Sequence, residues 1–200
     1  MNNGNFDTAY NNGQDIPYIL SKIFEFLIEE GSEDFWKAIK YKDYDCLDQP
    51  NLTMSEKRKL IYTNGKNLND YNIYINAPLI SPEEDKAKTI LKAYVLRVKP
   101  ITQMDFVVSF NFDIITHTTL SNIEKDTDMV GRLDFIESEL IKMLNQRDFF
   151  FGRVKFDHRV STDSHSMMTY NNSNNFFGRC LTMSVINTRH DENIECEEVW

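Results

Sequence analysis

The sequence predicts an α+β fold: an antiparallel sheet of four or more strands with helices packed on one face. Three observations carry that reading. Apolar residues recur at helical spacing over 19–28 and again over 133–144. Between and after those segments the period falls to two. The alternating segments also follow one another closely, which favours antiparallel pairing over the long crossovers that a parallel sheet needs. The predicted order is α-ββ-α-ββ.

The first helix is marked by Asp15 as a cap and Pro17 in the first turn, then Ile19, Leu20, Ile23, Phe24, Leu27 and Ile28, with Gly31 as the stop. EDFWKAIKY follows with Phe35, Trp36 and Ile39 on one side. Residues 42–91 are less regular. Thr53 and Glu56 have capping-box spacing ahead of a short helix, Asn64-Gly65 reads as a turn, 71–75 as a short strand, and Ser81 to Glu84 as another helical start. This region is predicted to be an irregular insertion outside the regular core.

The pattern sharpens from residue 92. KAYVLRV is a strand ending near Pro100, and FVVSFNFDII is the next. Val108, Phe110, Phe112 and Ile114 form its inner face, with Ser109, Asn111 and Asp113 on its outer face. A helix begins at about 131 and presents Leu133, Ile136, Leu140 and Leu144. Residues 152–160 alternate again, turning Val154, Phe156, His158 and Val160 inward. A loop, 161–175, leads to the last strand, 178–188. At least one of Phe149, Phe150 and Phe151 has to face outward. The domain assignment is a flexible arm at 1–14, a single domain at 15–190 and an acidic tail at 191–200.

Composition narrows the function class. The formal net charge is −9, the wrong sign for a protein that grips DNA without regard to sequence. Cys46, Cys180 and Cys196 are odd in number and form no C-x-x-C pair, so neither a disulfide framework nor a structural zinc site is expected, and the compartment reads as reducing. No apolar leader is visible at the N-terminus, and no run of 18 apolar residues spans a membrane. No phosphate-cradling glycine loop, no H-E-x-x-H and no G-x-S-x-G elbow occurs. Asp105, Asp113 and His117 are the one set that offers the ligands of a metal-dependent hydrolase or nuclease, but Asp113 falls on the polar side of its strand, where a solvated carboxylate is expected. The sequence therefore assigns no catalytic, cofactor-binding or metal residue.

The segments PITQMDFVVSFNFDIITHTTL, GRLDFIESELIKMLNQ, FGRVKFDHRVS and NNFFGRCLTMSV, within 85–190, resemble the tail-terminator and tail-completion proteins of tailed bacteriophages. In that family a strand ending near a His leads to a helix that opens with an Arg, then to two strands joined by a long loop. The resemblance implies a non-enzymatic virion protein of the phage neck. It would form a homo-oligomeric ring, a hexamer in most such proteins, between the tail tube protein and a head-completion or connector protein, with DNA passing through the lumen. Assembly would take place in the host cytoplasm. A head-completion adaptor in a neighbouring ring is the alternative within the same class. Subunit or lumen contacts are expected from the long loop, at Ser161, Asp163, His165, Met167, Met168, Tyr170, Asn172 and Asn174, and from the outer strand face at Ser109, Asn111 and Asp113.

Overall fold

The computed structural model describes residues 16–63, 70–76, 86–101, 106–156, 168–169 and 175–187. A short 3₁₀ turn, Ile16–Tyr18, carries Pro17 and leads into α1, Ile19–Glu30. All six apolar residues anticipated for α1 are buried. The Gly31 N–H closes the helix on the Leu27 carbonyl at 3.1 Å, and a Cβ at that position would stand 2.2 Å from the same oxygen. That close approach is what requires glycine here. The second helix, α2 (Glu33–Lys40), has Glu33 and Asp34 in its first turn and Lys37 and Lys40 in its last, matching the helix dipole. Its Trp36 is fully buried and donates Nε1–H to the Leu27 carbonyl at 2.9 Å. The third, α3 (Met54–Lys59), starts at the expected capping box: Thr53 Oγ1 accepts from the Glu56 N–H, and the Glu56 carboxylate accepts from the Thr53 N–H.

The strands among the described residues are β1 (Ile73–Ile75), β2 (Thr89–Pro100), β3 (Phe106–His117), β4 (Asn122–Lys125), β5 (Asp128–Gly131), β6 (Asp148–Phe149), β7 (Gly152–Phe156), β8 (Met168–Thr169) and β9 (Phe176–Asn187). The fourth helix, α4 (Arg132–Leu144), lies between β5 and β6. The main sheet runs β1-β2-β3-β9-β7-β6, with β8 also paired to β9, and β4-β5 is a separate hairpin. The α+β class and a largely antiparallel sheet therefore hold, but the order is not the α-ββ-α-ββ predicted. One edge pair, β1-β2, is parallel. The chain also does not pass directly from β3 into a helix. A 3₁₀ turn (Thr118–Leu120) and the β4-β5 hairpin intervene.

The 42–91 segment also departs from expectation. It supplies α3 and the edge strand β1, and its Cys46, Leu52, Ile61 and Ile73 are part of the main core cluster. Its polar, Asn-rich loops hide a few apolar anchors too widely spaced to show a period.

The core lies between the helices and the inner face of the sheet. Val108, Phe110, Phe112 and Ile114 are fully buried there, beside Leu91 and Ala93 of β2 and Leu181, Met183 and Val185 of β9. Phe112 meets Phe24 of α1 edge-on at 6.3 Å and Phe110 at 5.7 Å. Truncating such a ring costs about 3–5 kcal/mol. Leu133, Ile136, Leu140 and Leu144 bury the predicted face of α4. Arg179 of β9 pins that helix to the sheet through Asp134 and through Glu137 at 3.1 Å. Among the described residues, no helix is long and apolar enough to cross a membrane.

Candidate functional site

The sheet face turned away from the helices is a grid set by register. Antiparallel pairing places Ile90, Ile115 and Gly178 in one row, Lys92, Asp113 and Cys180 in the next, and Tyr94, Asn111 and Thr182 in a third. The following rows are Arg97-Ser109-Ser184-Lys155 and Lys99-Val107-Ile186. Side chains in one row stand roughly 5 Å apart, so each row is a contact set.

The middle of this grid is buried and hydrogen-bonded. Thr182 Oγ1 donates to Asn111 Oδ1 at 2.9 Å, Asn111 Nδ2 donates to Tyr94 Oη at 3.3 Å, and Tyr94 Oη donates to Asp113 Oδ1 at 3.4 Å. Cys180 stands directly opposite Asp113 on β9. Asn111 and Asp113 are each only 6% exposed. The expectation of a solvated Asp113 on an open contact surface is thus corrected: strand alternation tells which side a residue is on, not whether that side is covered.

Burial governs the electrostatics. It raises the Asp113 carboxyl above its ordinary range, against the opposing effects of Cys180, Lys92 and Tyr94. It lowers the Lys92 ammonium, against the pull of Asp113. The Cys180 thiol is pushed up to about 12, by burial first and the neighbouring Asp113 second. A thiol at that value is un-ionised at neutral pH and so is a poor nucleophile. A buried, hydrogen-bonded polar network of this kind fixes strand register.

His117 lies on the same strand four residues from Asp113, about 13 Å along the strand. Its Nδ1 accepts from the Thr119 N–H at 3.2 Å, and its ring packs edge-on against Phe176 at 5.0 Å. The structure does not bring Asp113 and His117 together. Asp105 lies outside the described residues, as do Asp157, His158, Ser161, Asp163, His165, Met167, Tyr170, Asn172 and Asn174, together with 1–14 and 191–200. Met168 falls in β8, whose backbone pairs with Gly178 and Phe177 of β9. Among the described residues no group of three His, Cys, Asp or Glu is placed to hold a metal ion. A concavity of about 710 Å³ beside α3 has no carboxylate, histidine or cysteine among the described residues of its lining.

The far end of the grid is open. Exposure rises along β2 from Leu96 onward; the apolar Ile186 on this face is exposed, as are Leu96 at the β2 bulge and Ile101 past its end, while the exposed Val98 stands opposite Val108 on the inner face. Beyond Ala93 no strand among the described residues pairs with the outer edge of β2. Ser109, named from the sequence as a contact, is half-buried in this open region. Phe150 is the outward-facing member of the Phe triplet, 58% exposed. Sequence reading missed Lys92, Tyr94, Cys180 and Thr182. Their alternation in KAYVLRV and GRCLTMSV was visible, but only the register places them around Asp113.

The family model described as YomW matches residues 32–185, more than three quarters of the chain. The chain belongs to the YomW family. Membership points to a phage-associated protein and does not specify a tail terminator. The YomW match begins just before α2 and ends at Val185 within β9, so it takes in every residue of the grid except Ile186. No curated protein and no solved structure matches the chain.

Proposed function

We propose that this YomW-family chain is a structural protein of a phage particle. Copies form a ring at the neck that ends the tail tube, joins it to the head connector and lets DNA pass. The observation that carries the reading is the open end of the outer sheet face, where exposed apolar side chains stand among lysines and arginines at an unpaired strand edge. Exposed apolar clusters of this kind mark protein contacts. The phage association of the family and the buried network around Asp113, with its un-ionised Cys180 thiol, favour assembly over catalysis. A net charge of −9 per copy, repeated around a lumen, repels DNA phosphates and keeps a passing genome from sticking.

Negative-stain imaging of the purified chain tests this reading. Closed rings with a central hole are the expected particles. Compact single copies that bind a divalent ion stoichiometrically and cleave nucleic acid would replace it with the hydrolase.

A further inference from the structure

The open end of the outer face is cationic in an anionic protein. Arg97, Lys99 and Lys155 occupy its last two rows around Val107 and Ile186. All three cations are exposed, and none is in an ion pair among the described residues. The neighbouring strand edge is guarded against simple strand addition: β2 has a bulge between Val95 and Arg97, two cationic side chains and Pro100. A partner therefore meets this end through side chains, not by extending the sheet.

The complement lies at the other end of β3. There the Tyr44 carbonyl accepts from the Glu124 N–H at 2.7 Å, and Glu124 stands opposite Met129 in the β4-β5 hairpin. The Cys46–Asp48 turn packs beside β4. This shoulder exposes Tyr44 (60%) and Met129 (59%). Asp43, Asp45, Asp48, Glu124, Asp126 and Asp128 surround them, against Lys42 and Lys125. The Lys125 ammonium is drawn back over the Phe135 ring, 4.9 Å from its centre.

The two surfaces are unlike, each mixes apolar with charged groups, and their charges are opposite. The length of β3 separates them, roughly 35 Å. Unlike surfaces at opposite ends of one subunit form a heterologous contact, the kind that closes into rings. We infer that the basic end of the outer sheet face, Arg97, Lys99 and Lys155 around Val107 and Ile186, docks on the acidic Tyr44–Met129 shoulder of a second copy of this chain. This inference rests on the ring reading and supplies its contact. Copies of net charge −9 repel one another at a distance, so local complementarity must set both the orientation and the partner.

A charge-swap experiment tests it, read as mass by light scattering across a concentration series. One variant carries Arg97→Glu and Lys99→Glu. The other carries Asp48→Lys and Asp128→Lys. Circular dichroism identical to wild type confirms that both are folded. Each variant alone should associate at least tenfold more weakly than wild type. An equimolar mixture should recover assembly, because every basic end then meets an acidic shoulder or the reverse. Wild-type assembly by either variant alone overturns this contact and leaves the ring standing. Weakened variants that fail to recover on mixing overturn the head-to-tail arrangement. Duplex DNA captured by wild type and lost in the first variant, with mass unchanged, makes nucleic acid the occupant. A wild type that never self-associates removes the ring reading itself.

Discussion

Arg132 and Ala38 are ninety-four positions apart in the chain and joined by a 2.8 Å hydrogen bond. The fully buried guanidinium also donates to the carbonyls of Tyr41 at 2.6 Å, Lys42 at 3.4 Å and Asp43 at 2.9 Å. A helix leaves its last carbonyls without partners, and here a side chain from the first turn of α4 fills that need for α2. Arg132→Met should cost about 3 kcal/mol, because buried carbonyls lose a charged donor. Arg132→Lys should recover only part of this, since an ammonium lacks the planar fork that reaches several acceptors at once. Urea denaturation reads both effects as shifts in midpoint at constant slope. Unchanged midpoints would mean that α2 is held by its apolar face alone.

The thiols give a second test. Cys46 and Cys180 are both buried, and burial raises both above the ordinary thiol range. In a Cys196→Ser background, Ellman's reagent at pH 8 should find no reactive thiol in the native protein and two after unfolding in urea. Rapid native labelling of Cys180 would show that the outer grid is open to solvent.

Asp113 sets a pH dependence. Its carboxyl is raised in the folded state, by burial above all, so the fold holds that proton more tightly than the unfolded chain does. Its contribution is most favourable below the unfolded value, near 4, and is lost as pH rises through the higher folded value. Asp113→Asn does not titrate. Its stability relative to wild type should therefore increase as pH is raised from about 4 toward 7. Thermal unfolding of both proteins across that range measures the difference. A constant difference would mean that Asp113 titrates alike in both states.

Glu56 runs the other way. Its hydrogen bonds to the Thr53 backbone, Lys40 and the Thr53 hydroxyl, in that order of effect, lower its carboxyl to about 2. The stability it adds is present above the unfolded value, near 4.5, and is lost as pH falls toward 2. Thr53→Ala should remove about 1 kcal/mol at neutral pH. The same change should raise the Glu56 carboxyl toward its ordinary value, as followed by NMR titration.

The regular elements of this chain were legible because each has a strong period. Ile19 to Ile28 and Leu133 to Leu144 show helical spacing, and Val108 to Ile114 show strand alternation; all of them face the core. What the sequence hid depends on pairing between distant segments. Nothing near Lys92 or Cys180 marks them as neighbours of Asp113, because β9 reaches β3 only after α4, β7 and β8 have passed. Residues 71–75 read as a short strand and Ile73–Ile75 form one, but so short a stretch does not show that Ile73 pairs in parallel with Leu91 and is fully buried. Arg132 reads locally as an ordinary first-turn residue. Its role exists only once α2 ends against α4.

The central claim is that this chain works by assembling with itself. The mass of the wild-type protein in solution, followed by light scattering as concentration is raised, tests that claim most directly. The account predicts a discrete species that is a whole-number multiple of the 23.5 kDa chain and persists on dilution. A single 23.5 kDa species at every concentration would contradict it.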